Sequence, residues 1–282
     1  IIIIVLIPLT VTPLVAIVTD QPCIKKSTLN LFYSLKGLAN NGPLVRFLII
    51  FACMQVSVGV INSVALFLID DGLGLPNAFF SLFFIQYVTA IVAAPLVVRL
   101  ANQFGKHIVL MGGLIVLLIA YLGGFMLPMG SYPLVVFFMF ILGMAFSCLY
   151  ILPTSILADI VDYDTAATGE EQAGIYIAVL NLVMKLGLAL GVGIAYGFLD
   201  LAGYDPSAEV RGVDDVMTLR VAGYGITSVL LIPAIILLRK FPITKKVQQQ
   251  LRKKIDARSA DRKSSLTLQR RISPLAAVAT PK

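Results

Sequence analysis

Charge is scarce in this sequence: Asp, Glu, Lys and Arg make up 13% of its 282 residues, about half the share of a soluble domain. A single water-soluble globule is excluded, because hydrophobic residues at 59% leave far more apolar surface than one core can hide. Histidine occurs once, as His107, and cysteine three times, as Cys23, Cys53 and Cys148. The cysteines are odd in number, form no C-x-x-C pair and fall in or beside apolar runs, so they read as small buried side chains rather than disulfides or metal ligands. No set of His, Asp, Glu and Cys stands at metal or nucleophile spacing, which excludes the common hydrolytic and metal-dependent chemistries; the expectation is no enzyme, no cofactor and no metal site. Short alternating segments are missing as well, and with them the signature of a β-barrel. The chain opens on Ile1 with no basic flank, and Thr19-Asp20-Gln21-Pro22 offers no small-residue cleavage site. That pattern is no signal peptide, and it points to a chain that begins mid-protein.

Long apolar runs fill the space that charge leaves. They span Ile1 to Thr19, Leu44 to Ile69, Ala78 to Val98, Ile108 to Leu127, Pro133 to Leu157, Gly174 to Leu199 and Leu219 to Leu238. Each is long enough to cross about 30 Å of hydrocarbon as a helix, and in lipid only a helix satisfies its backbone within one segment. The expectation is an all-α membrane protein with seven spans, multi-pass in an inner or plasma membrane. The formal charge of +7 is a property of the tail: from Arg239 onward thirteen Lys or Arg face only Asp256 and Asp261. Such a tail suits anionic lipid at a cytoplasmic surface and removes the case for nucleic acid. Its Val247, Leu251 and Ile255 share one helical face among basic residues, as in a helix lying on a membrane. Lys25, Lys26 and Lys36 in the first connection and Arg99 in the third place both on the cytoplasmic side. Parity puts Asp159 to Glu171 there too, although that segment carries five acids and no base.

Lys185 stands roughly halfway along the sixth span, where an ammonium costs at least about 2.5 kcal/mol and calls for a partner or a water-filled cavity. Asn181 lies one turn earlier on the same face, and Gly187, Gly191 and Gly193 follow, where a second backbone can approach. Gln55, Gly59 and Asn62 share a face of the second span and suit either interhelical hydrogen bonds or solute contact. Gln86 with Tyr87, and Tyr150 with Thr154, carry the same two readings. Arg99 and Lys106 flank the turn closed by Gly105, able to cap helix carbonyls or to meet acids; His107 beside them reads as a surface residue. Asp159, Asp162, Tyr163 and Asp164, with Glu170 and Glu171, suit an ionic latch at a cytoplasmic gate or plain helix capping.

The run Pro153-Thr154-Ser155-Ile156-Leu157-Ala158-Asp159-Ile160-Val161-Asp162-Tyr163, then Thr168-Gly169, Gly174 and Lys185-Leu186-Gly187, resembles the glycoside-pentoside-hexuronide:cation symporters. These are the melibiose-permease-like branch of the major facilitator superfamily. The Arg99 to His107 turn is similar to the superfamily's cytoplasmic turn. One position departs, with Glu171 where the family places an arginine.

The resemblance implies residues 1–19 as the last helix of an N-terminal half, 20–43 as the cytoplasmic connection, 44–240 as the C-terminal six-helix bundle and 241–282 as a basic cytoplasmic tail. It implies a sugar site between two bundles and coupling to sodium, lithium or a proton held mainly by the N-terminal half, which is then a partner of this portion. Lys185, Asn181 and Tyr150 would line the solute and coupling site with Gln55 and Asn62, while Asp159, Asp162, Tyr163, Arg99 and Lys106 would form the gate. The implied function is cation-coupled symport of a sugar or glycoside by alternating access. The alternatives are a facilitator for a lipid or drug-like solute, and a membrane sensor or scaffold that keeps the fold without transporting.

Overall fold

In the computed structural model of the chain, the described residues are 12, 41–168, 173–205, 212–239 and 241. The first span apart from Thr12, the basic tail beyond Phe241, Cys23, Glu170 and Glu171 lie outside them. The chain divides into two compact units, Ile1–Gly37 and Leu38–Lys282; the second carries everything that follows. Among the described residues all regular structure is helical. Six helices among the described residues are long and apolar enough to cross a membrane: α1 Gly42–Gly72, α2 Phe79–Phe104, α3 Lys106–Gly124, α4 Tyr132–Thr168, α5 Ala173–Leu201 and α6 Val213–Arg239. The chain is a multi-pass membrane protein.

Local sequence explains where these helices start and stop. Asn41 caps α1 by accepting from the Leu44 amide at 3.1 Å, and a proline in the first turn gives up an amide that would have had no partner. Gly105 alone separates α2 from α3: its φ of 102° is one an L side chain resists, and its amide donates to Ala101 O at 2.9 Å. At the head of α6 the Asp215 carboxylate accepts from the Gly212 amide at 2.9 Å, and Asp214 and Asp215 suit the positive helix end. Three helices outrun the expectation: α2 continues past Val98 to Phe104, so that Arg99 is helical and the turn narrows to Gly105. α4 continues past Leu157 to Thr168, so Asp159, Asp162, Tyr163 and Asp164 are helical rather than in a loop. No glycine or proline interrupts Ala158 to Thr168, and an apolar run marks only the lipid-embedded part of a helix, not the turns that emerge from it. α6 begins at Val213 for the same reason.

α1 packs along α5 and α6, α4 along α2 and α3, and α3 against α6, which closes the bundle. The α1–α5 seam is a close one. A Cβ on Gly191 would come within 2.5 Å of Val56 O, and one on Gly59 within 2.6 Å of Leu188 O, so the two backbones are in contact there. Gly187 shares the seam against Gln55, whereas Gly193 has nothing within 4 Å. Two π-helical segments, Leu68–Gly72 in α1 and Val221–Ile226 in α6, meet where a Cβ on Gly223 would fall 2.7 Å from Leu68 Cδ2.

Candidate functional site

The residues expected at a solute or coupling site occupy two regions. The first is α5, the least buried of the six helices. Its buried stripe, including Tyr176, Leu180, Gly187, Gly191 and Ala195, turns to α1, leaving most of its circumference uncovered by the bundle. Asn181 and Lys185 lie on that exposed surface. They share a flank with the small Ala178 and Ala189, while Leu182, Leu186 and Leu190 are exposed on the other. This division gives α5 one lipid-like flank and one able to border water. Among the described residues Lys185 has no hydrogen-bond or ion-pair partner in the bundle. Gln55, half-buried, touches α5 at Gly187, next to the level of Lys185.

The second region is a small pocket walled, among the described residues, by all helices except α5. Asn62 of α1 stands exposed at its rim, and Gln86 of α2, Tyr121 of α3 and Tyr224 of α6 face it from deeper positions. Phe146, also in the wall, packs its ring 5.9 Å from that of Tyr150. Tyr150 is 52% exposed, interacts with Tyr87 across the α2–α4 seam, and lies within electrostatic reach of Tyr121. Thr154 donates its hydroxyl to Ile151 O of its own helix. Lys185 and the rim of this pocket are separated along the bundle: Gln55 marks the level of the first and Asn62 of the second, about 10 Å apart at helical rise.

The expected gate residues divide differently. Lys106 Nζ reaches Asp159 at 2.7 Å and also donates to Ser155 O at 3.0 Å. The ammonium sits at the start of α3, an unfavourable place for a cation, and the α4 carboxylate offsets that cost. Both partners belong to one bundle. Arg99 and Tyr163 are exposed and Asp162 is half-buried; among the described residues Arg99 and Asp162 enter no ion pair. The same end holds a cluster that sequence reading missed: Asn41 Nδ2 donates to Asp164 at 3.4 Å and to the Tyr176 hydroxyl at 3.2 Å. The Asn-Gly-Pro start of α1 signals the cap, but nothing in sequence pairs it with residues so far along the chain.

At the opposite end Arg220 donates from NH1 to Phe125 O at 2.8 Å, from NH2 to Leu127 O at 2.8 Å, and from NH2 and Nε to Gly72 O at 3.2 and 3.3 Å. One guanidinium thus caps the chain ends of α1 and α3 from α6. The Tyr204 hydroxyl donates to Asp71 at 3.0 Å beside it. Tyr121, Tyr224 and Arg220 had also been missed, since each sits in an apolar or terminal context that looks ordinary in one dimension.

Two comparisons with known proteins bear on this arrangement. The family described as MFS/sugar transport protein matches residues 1–245. A protein of Synechocystis sp. named as an uncharacterized symporter is 26% identical over 237 residues, covering 82% of this chain and 43% of that protein. The chain therefore spans less than half the length of this curated relative.

Proposed function

Because the chain belongs to the MFS/sugar transport protein family, we propose that it forms one wall of a secondary transporter, not an enzyme, that moves a sugar or glycoside with a coupling cation by alternating access. The branch that its motifs resemble, the glycoside-pentoside-hexuronide:cation symporters, is the source of the coupled mechanism. The single observation that carries the reading is Lys185: a cation midway along an apolar helix, exposed on the flank of α5 and without a partner inside its own bundle. A charge in that position is retained where it faces water, solute or an opposite charge on a second body. A second six-helix bundle supplies that body and the carboxylates for sodium, lithium or a proton, and the solute is held at the interface of the two.

Asn181, Gln55, Asn62 and Tyr150 border the same interface, the aromatic ring offering a face to sugar C–H groups. The Lys106–Asp159 pair acts within the bundle, tying α3 to α4, so it holds the moving body together. Closure against the other half falls to Arg99, Asp162 and Tyr163. The test is ion-driven sugar uptake by the full-length protein in proteoliposomes. Lys185→Ala is expected to lower coupled uptake at least about 10-fold, as for loss of an interaction of about 1.4 kcal/mol or more. Undiminished coupled uptake would remove Lys185 from the mechanism.

A further inference from the structure

The pocket behind Tyr150 has a chemistry of its own. Gln86 is 7% exposed, and Tyr121 and Tyr224 are 1% and 2% exposed; among the described residues no protein group hydrogen-bonds their side-chain polar atoms, which open on the cavity rather than being sealed in the packing. A polar group that opens only on a cavity takes its hydrogen bonds from whatever occupies that cavity. All three line the same cavity, so whatever satisfies them sits there. Aromatic faces surround the polar groups: Phe83, Phe138 and Phe146 line the cavity, and the Tyr121 and Tyr224 rings stack at 6.1 Å. Among the described residues no Asp, Glu, Lys, Arg or His lines it, so an ionic group entering would meet no counter-charge there.

From neutral donors and acceptors set among aromatic faces, with an open rim at Asn62, we infer that this pocket takes the distal hydroxyl-bearing edge of an uncharged polyhydroxylated solute, read by Gln86 and Tyr121. The inference rests on the transport reading above and adds to it. It moves recognition of the solute away from Lys185, about 10 Å along the bundle, and into α2, α3 and α6, none of which bears that charge. Gln86 supplies both an amide donor and a carbonyl acceptor, and the tyrosine hydroxyl either donates or accepts, so a single hydroxyl can be held from two sides. The two π-helical segments make room for this arrangement. Leu68, Ile69 and Tyr224, all within them, form part of the wall, and a regular turn would place Tyr224 elsewhere on α6.

The experiment uses the full-length protein in proteoliposomes with an inward ion gradient, a panel of neutral sugars and, for each, its singly deoxygenated analogues. The wild type is expected to take up at least one sugar and to prefer it about 10-fold over one deoxy analogue, the effect of one good hydrogen bond. Gln86→Leu is expected to raise KM for the parent sugar about 10-fold while leaving that analogue within about twofold, so the preference collapses. Tyr121→Phe, which removes one oxygen and leaves packing intact, is expected to erase a preference at one position of the sugar. A general folding defect depresses parent and analogue alike and does not change their ratio. A ratio unchanged in both variants, or a wild type that ignores deoxygenation, means the pocket holds water alone and overturns this inference while leaving the transport reading in place. Uptake of no neutral sugar at all overturns both.

Discussion

At the end of the bundle that carries Lys106, the helices are joined by side chain to side chain: an ammonium and a carboxylate 2.7 Å apart, and an asparagine amide between a carboxylate and a phenol. At the end that carries Arg220, one guanidinium addresses three backbone carbonyls, and none of its partners is a carboxylate. In the ion pair the Lys106 ammonium keeps some access to water, at 18% exposure against 7% for Asp159, so it retains an alternative if the carboxylate is removed. The carbonyls at the Arg220 end are fixed to helix termini and cannot turn away, so loss of their donor leaves them with whatever water can enter. Both sets of ties lie among the six helices and hold them together as one body.

The contrast can be broken at three places, in order of expected effect. Arg220→Met removes four hydrogen bonds at once and keeps much of the side-chain volume. It is expected to destabilise the protein by about 3–5 kcal/mol, since several carbonyls lose a charged donor, and to lower the thermal midpoint in detergent more than any variant at the other end. Asp159→Ala leaves the Lys106 ammonium on Ser155 O alone. A fully buried pair would lose about 3–5 kcal/mol on such a change; with Lys106 still 18% exposed, about 2 kcal/mol is expected, and Lys106→Met on top should recover part of it. A double-mutant cycle on thermal unfolding measures that recovery, and strict additivity would mean that the pair is not coupled. Asn41→Ala removes a helix cap and two hydrogen bonds at the same end, with an expected cost of about 1 kcal/mol. Should it prove as damaging as Arg220→Met, the two ends would not differ in the way described.

The same contrast shows what could be read in one dimension. The Asp159 to Asp164 segment is conspicuous as charge, and Lys106 as the base of a short turn, so the ends of the ion pair were both visible. That they meet each other inside one bundle was not, because a latch between halves and a tie within one half use the same residue types. Arg220 was hidden in the last turn before an apolar run, where a basic residue looks like an ordinary flank. Gln86 stood out as a polar residue in a span, but whether its amide met another helix or a cavity depended on the shape of α4 and α6 around it. Gly193 illustrates the reverse error: it follows Gly187 and Gly191 in sequence, yet it points off the seam because helix periodicity takes it to another face.

The sequence by itself determined that this chain lies in a membrane as helices, since the excess of apolar residues and the lack of water around a spanning backbone leave no other solution. It also determined which charge stands alone at mid-depth, because burial cost depends on position along a span and that is a one-dimensional quantity. Only the tertiary structure decided which faces are covered. The α1–α5 glycine seam rotates α5 so that Lys185 and Asn181 look outward from the bundle, and the paired π segments open a pocket in which Gln86, Tyr121 and Tyr224, far apart in sequence, face one another. Rotation about a helix axis and the gap between helices are set by how neighbouring side chains fit, and no single helix encodes its neighbours' shape.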